Sequence, residues 1–151
     1  MRVADVLQTK GTGVDTITVH PERSLRRAMG IMIDNQIGAL PVVADDGGLV
    51  GIITERDLFR YCYHNQGLDE GATVADVMTT ELIVGVVDDE IEYIAQVMTK
   101  NRIRHIPIVQ DGTLSGIVSI GDVIKHRLKD MSVTNRYLME YINGGATLGI
   151  F

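Results

Sequence analysis

The chain has 151 residues, 45% hydrophobic and 23% charged, so it has the material for a packed core and is no disordered tail. Its net charge of −6 gives no global field toward nucleic acid or anionic lipid, and no apolar run has the length of a bilayer span or the setting of a signal peptide. The single cysteine, Cys62, excludes an internal disulfide and suits a reducing, cytoplasmic compartment, while any anionic ligand must be held by a local cluster of positive charge.

Taken in chain order, the elements repeat. Val3-Ala4-Asp5-Val6 returns as Val74-Ala75-Asp76-Val77. A strand over Thr16 to Val19 has its counterpart in Leu82 to Val86. Leu25, Ala28, Met29 and Met32 mark one face of a helix, and Ile91, Ile94, Ala95 and Met98 repeat that spacing. Two β-branched runs follow in each copy. Leu40 to Val43 and Leu49 to Ile53 are joined by Asp46-Gly47-Gly48, and Ile106 to Val109 and Leu114 to Val118 by Asp111-Gly112, both hairpin signals. Gly51-Ile52-Ile53-Thr54-x-x-Asp57 then returns as Gly116-Ile117-Val118-Ser119-x-x-Asp122. The copies drift in register mainly between Gln8 and Gly13, with the remainder at the Asp45 to Gly48 turn; loops absorb such differences without disturbing a core.

Each copy therefore reads strand, helix, strand, strand, helix. The fold class is mixed α/β (α+β), with repeat one over 1–66, repeat two over 67–130 and a helical extension over 131–151. One unit of roughly 60 residues buries little apolar surface alone, so the two should pack on each other.

This order of elements, with Gly-h-h-Thr/Ser-x-x-Asp after the last strand, resembles the cystathionine-β-synthase (CBS) domain over roughly residues 1 to 130. The resemblance implies two repeats about a pseudo-two-fold axis with two clefts between their sheets. It also implies a non-catalytic regulatory module that binds an adenine nucleotide, whether AMP, ADP, ATP or NAD(H), with no catalytic cofactor.

The candidate site residues each carry two readings. Thr54 with Asp57, and Ser119 with Asp122 across Gly121, form capping boxes in the plain reading. In the functional one the helix N-terminus faces an anion and the carboxylate accepts the two hydroxyls of a ribose. Adenine needs a flat apolar slot edged by backbone groups, for which Ile17, Thr18, Ala39, Leu40 and Pro41 are candidates, with Ile83, Val84, Ile106 and Pro107 in the second copy. The alternative is ordinary core strand. The two prolines lack an N–H and suit an edge where the ladder opens.

Phosphate needs cations, and the copies differ there. Arg104-His105 precedes Ile106-Pro107 and resembles the family's phosphate-contacting segment, whereas the matching Gly38-Ala39 cannot supply charge. Arg56 adds a cation at a helix N-terminus, where the dipole disfavours one. Lys10, in the loop Lys10-Gly11-Thr12-Gly13, reads as a phosphate contact or as part of a plain turn.

Cys62 with His64, the scattered histidines His20, His64, His105 and His126, and the core methionines suggest neither a nucleophile nor a metal site. From Asp122 to Ile142 no proline or glycine interrupts a helix, and Ile124, Leu128, Met131, Asn135, Leu138 and Ile142 form a short coiled-coil seam or a face packed on the chain's own module. Paired modules of this kind commonly form homodimers, which the seam could fasten. Nothing in the sequence points to a catalytic centre, a nucleic-acid partner or a membrane. The protein target is unassigned, and the competing function is that of a protein–protein adaptor or dimerisation module without ligand.

Overall fold

In a computed structural model, residues 1–11 and 16–130 are described. Thr12 and Gly13 of the first loop, and Met131, Asn135, Leu138 and Ile142 of the proposed seam, lie outside them. The elements run α1 (Val3–Thr9), α2 (Leu25–Asn35), β1 (Ala39–Val43), β2 (Leu49–Thr54), α3 (Glu55–His64), α4 (Val74–Val77), β3 (Gly85–Val86), α5 (Ile91–Asn101), β4 (His105–Gln110), β5 (Thr113–Ser119) and α6 (Ile120–Asp130). The result is a mixed helix-and-strand fold with small sheets.

Helices α2 and α5 start where the apolar periodicity starts. Ser24 caps α2, its side chain accepting from Arg27 N at 3.1 Å, and Leu25, Ala28 and Met32 turn inward. Helix α5 buries Ile91, Ile94, Ala95 and Met98. Both end on a residue in the left-handed conformation, Gln36 and Arg102, at φ 54° in each case. The second hairpin turn carries positive φ at both Asp111 (51°) and Gly112 (78°), the combination that matches the twist of the flanking strands.

The chain divides into two compact units that cross the repeats. Among the described residues, one unit comprises 1–11, 84–111 and 115–130, and the other 16–83 with 112–114. Helix α1 therefore belongs with the strands of the second repeat, and α4 with those of the first. Val3 and Val6 sit fully buried in a core with Ile94, Met98, Ile106, Ile108 and Val118. Val74 is likewise buried with Leu25, Leu40, Val42 and Ile53. Each such valine contributes on the order of 1.5–3 kcal/mol by leaving water, enough to hold a helix too short to form alone.

The first strand of each repeat is shorter than its sequence suggests. In repeat one the expected Thr16 to Val19 strand contracts to a single bridge, in which Val19 N donates to Pro41 O and Val43 N to Val19 O, both at 3.0 Å. In repeat two the expected Leu82 to Val86 strand contracts to Gly85–Val86, paired parallel with Ile108 and Val109. The cause is shared. Within a strand the N–H and C=O of one residue face the same side, so the ring nitrogens of Pro41 and Pro107 point where the next rung would form and offer no donor. Pairing stops one residue past each proline.

Candidate functional site

In the unit that holds α6, the site begins at the helix N-terminus. Ser119 Oγ accepts from Asp122 N at 3.2 Å, and Asp122 Oδ2 accepts from Ser119 N at 2.8 Å, which completes the capping box. Ile120 N donates to Arg104 O at 2.8 Å, fastening the start of α6 to the residue before β4. Arg104 is exposed and His105 half-buried beside it. From the end of α1 comes Lys10, its Nζ 2.6 Å from Asp122 Oδ2 and donating to Ile117 O at 2.7 Å. Thus Lys10, Arg104, His105, Ser119 and Asp122, distant in sequence, meet at one helix N-terminus.

His105 departs from expectation in its charge. Burial first, then the Lys10 ammonium, push its pKa from 6.5 down to about 4, with Arg104 adding to the push and Asp122 opposing it. The ring is therefore neutral near pH 7. The standing cations of the site are Lys10 and Arg104, while His105 offers a neutral ring N–H. Gly121 is half-buried, and a Cβ there would meet only Ser119 Oγ at 3.6 Å, so no steric demand fixes that glycine.

The unit that holds α3 carries the same frame with different charge. Thr54 Oγ1 accepts from Asp57 N at 3.2 Å and Asp57 Oδ2 accepts from Thr54 N at 2.9 Å. Glu55 N donates to Gly38 O at 3.0 Å, as Ile120 N does to Arg104 O. Where Lys10 reaches Asp122, however, Thr79 Oγ1 donates to Asp57 Oδ1 at 3.2 Å. Thr79 follows α4 as Lys10 follows α1. The repeated Val-Ala-Asp-Val was the signal that could have found it, but four residues are too few to reveal which strands they will join. Arg56 is exposed on the first turn of α3.

The adenine candidates separate by burial. Leu40 and Ile106 are fully buried and Ala39 is nearly so; Leu40 packs in the core with α2 and Ile106 in the core with α5. The side chains of Leu40 and Ile106 belong to those cores, and only their backbone remains to meet a ligand. Pro41 and Pro107 are also buried. Thr18 and Val84 are exposed, and Ile17 and Ile83 half-buried. The early end of each ladder leaves the backbone at Thr18 and Val84 outside sheet pairing among the described residues. Both capping boxes are formed, so the plain reading of the Thr/Ser-x-x-Asp pairs holds. In each, Oδ2 is the capping oxygen, and beside the α6 start stand Lys10, paired with Asp122, and the exposed Arg104.

Among the described residues no group of three His, Cys, Asp or Glu side chains could hold a metal, and no helix is long and apolar enough to cross a membrane.

Comparison with known proteins gives a consistent result. The CBS domain family model matches residues 3–64 and 74–129. The CBS domain-containing protein CBSX3, mitochondrial, of Arabidopsis thaliana is 34% identical over 149 residues, covering 95% of this chain and 72% of the relative. The CBS domain pair of protein MJ0100, solved in complex with 5′-methylthioadenosine and S-adenosyl-L-methionine, is 30% identical with a TM-score of 0.75, over 86% of this chain and 98% of that one. CBSX2, solved in complex with AMP, is 27% identical with a TM-score of 0.74, again over 86% and 98%.

Proposed function

The chain belongs to the CBS-domain family, and from that membership we propose that it is a non-catalytic regulatory module that binds an adenine nucleotide at the Ser119-x-x-Asp122 helix start. The observation that carries this reading is the gathering of Lys10 and Arg104, with the neutral ring of His105, around the α6 N-terminus of a protein whose net charge is −6. A phosphate meets there two cations and a helix N-terminus. Asp122 serves the ribose, and the backbone near Val84 serves the base edge. AMP fits this set, since one phosphate satisfies the cations present; ADP, ATP and NAD(H) place further charge beyond them. Neighbours solved with AMP, methylthioadenosine and S-adenosylmethionine share the adenosine group. The α3 start, with Thr54, Asp57, Arg56 and Thr79, is the second candidate position.

The test is native mass spectrometry of protein purified without added nucleotide, followed by calorimetric titration with AMP, ATP, NADH and adenosine. Carried nucleotide, or AMP binding in preference to adenosine, supports the reading. A folded protein that binds none of the four overturns it.

A second reading is an adaptor without ligand. It is favoured by Phe59 and Tyr63, 76% and 78% exposed one turn apart on α3. The same titrations separate the two, because an adaptor has no affinity for nucleotides. In either role we expect a homodimer in the cytoplasm, with an as yet unassigned protein target; sedimentation at micromolar concentration checks the dimer.

A further inference from the structure

Lys10 is held where a ligand's ribose is expected. Its ammonium contacts Asp122 Oδ2, the same oxygen that caps α6 through Ser119 N, and its remaining acceptor is the carbonyl of Ile117. Asp122 is mostly buried, its side chain 17% exposed, while Lys10 reaches in from solvent with its side chain 38% exposed. An ammonium has three donors and no acceptor, so it competes directly with the diol hydroxyls for the lone pairs of that carboxylate. A phosphate beside Arg104 changes the balance. It offers the ammonium a stronger acceptor, and the four-carbon stem of lysine lets the charge move while its backbone stays in place.

We propose that Lys10 is a displaceable internal counter-ion that makes the site select phosphorylated adenosine over adenosine itself. This rests on the nucleotide reading above. Without ligand, the ammonium neutralises Asp122. A ligand with phosphate draws the ammonium off the carboxylate and frees it for the ribose. A nucleoside without phosphate has nothing to exchange and must bind against the ion pair. Among the described residues, the groups placed near the ammonium fit this role: Asp122 and the Ile117 carbonyl hold it, and Arg104 and the neutral His105 supply the rest of the phosphate's surroundings. The contrast within the chain is direct, since Asp57 is met by the uncharged Thr79 hydroxyl, which gives its site no such preference.

The experiment is calorimetric titration of the full chain with adenosine and with AMP at low salt, for the wild type and for Lys10→Met, with Lys10→Gln as a second neutral variant. Lys10→Met keeps most of the aliphatic stem and removes the charge. Adenosine affinity should rise about two- to fivefold, the scale of one partly exposed ion pair, while AMP affinity falls. The two ligands thus move in opposite directions. An adenosine affinity that stays the same or falls in both variants overturns the counter-ion role, even where AMP binding is weakened. A wild-type protein that binds neither ligand fails at the earlier step, the nucleotide reading, and takes this inference down with it.

Discussion

Leu7 lies so close over Gly116 that a Cβ on the glycine would stand 2.8 Å from Leu7 Cδ2. Gly51 holds the same relation to Met78, whose Sδ would be 2.6 Å away, with Thr79 O at 3.0 Å. The glycine that opens each Gly-h-h-Thr/Ser-x-x-Asp segment is therefore the seat for the short helix that covers it. Gly116→Ala should destabilise the protein by about 1 kcal/mol, the low end of the cost of overpacking, because the atoms it meets are the end of a flexible leucine side chain. Leu7→Ala costs something by itself through lost packing. The double variant should cost less than the two single variants together, because the smaller residue 7 accommodates the new methyl. Urea denaturation of the four proteins checks this, and strict additivity would show that the two side chains do not meet.

Asp122→Asn separates capping from binding. Asparagine keeps a carbonyl oxygen for Ser119 N but loses the charge that pairs with Lys10. Stability should fall by less than about 1 kcal/mol, and nucleotide affinity by about 1–3 kcal/mol. Asp57→Asn reads the α3 position in the same way. If only one of the two variants changes the titration, only one position is occupied.

Arg104→Ala tests where the phosphate lies. Arg104 is exposed, and its backbone rather than its side chain holds α6, so folding should be little affected. AMP affinity should drop by about 1–3 kcal/mol, more at low salt than at high, with adenosine almost unchanged. Equal losses for both ligands in calorimetry would place the arginine away from the phosphate.

His105 makes stability depend on pH. Its folded-state pKa is depressed from 6.5 to about 4. As pH falls the unfolded chain takes up this proton first, so the stability tied to the neutral ring is complete above 6.5 and lost as pH falls toward 4. The full span is roughly 3 kcal/mol at most, an upper bound because solvent reaches part of the ring. His105→Gln should flatten the stability slope between about pH 6.5 and pH 4 relative to wild type. Denaturation midpoints at a series of pH values give the comparison, and matching slopes in the two proteins would mean that the ring titrates as it does in water.

Much of the architecture was legible because it is local. Helices α2 and α5 follow from spacing and both hairpins from turn chemistry, and the two Thr/Ser-x-x-Asp boxes form at the residues that spell them. What was hidden is non-local. Val3 and Val74 look alike, yet each is buried with strands of the other copy, a choice that depends on loop lengths and packing rather than on periodicity. The early end of the first strands is half visible: a proline, lacking an N–H, marks a ladder edge in the sequence, but its effect on the neighbouring strand appears only once register is known. The cationic character of Lys10 and Arg104 was legible, and the neutrality of His105 was not, because a pKa depends on burial and on neighbours that the fold brings from elsewhere.

The crossed membership of the short helices also sets an order of events on the ribosome. The unit built on residues 16–83 has nearly all its parts once α4 emerges, and lacks only residues 112–114. Helix α1 is made before α5, β4 and β5, the elements whose side chains bury Val3 and Val6. With synthesis at about 5–20 residues per second, that apolar helix spends several seconds without its partners. Helix α1 is thus translated well before the elements that bury it, and a nascent chain stalled after α4 would present Val3, Val6 and Leu7 to chaperones.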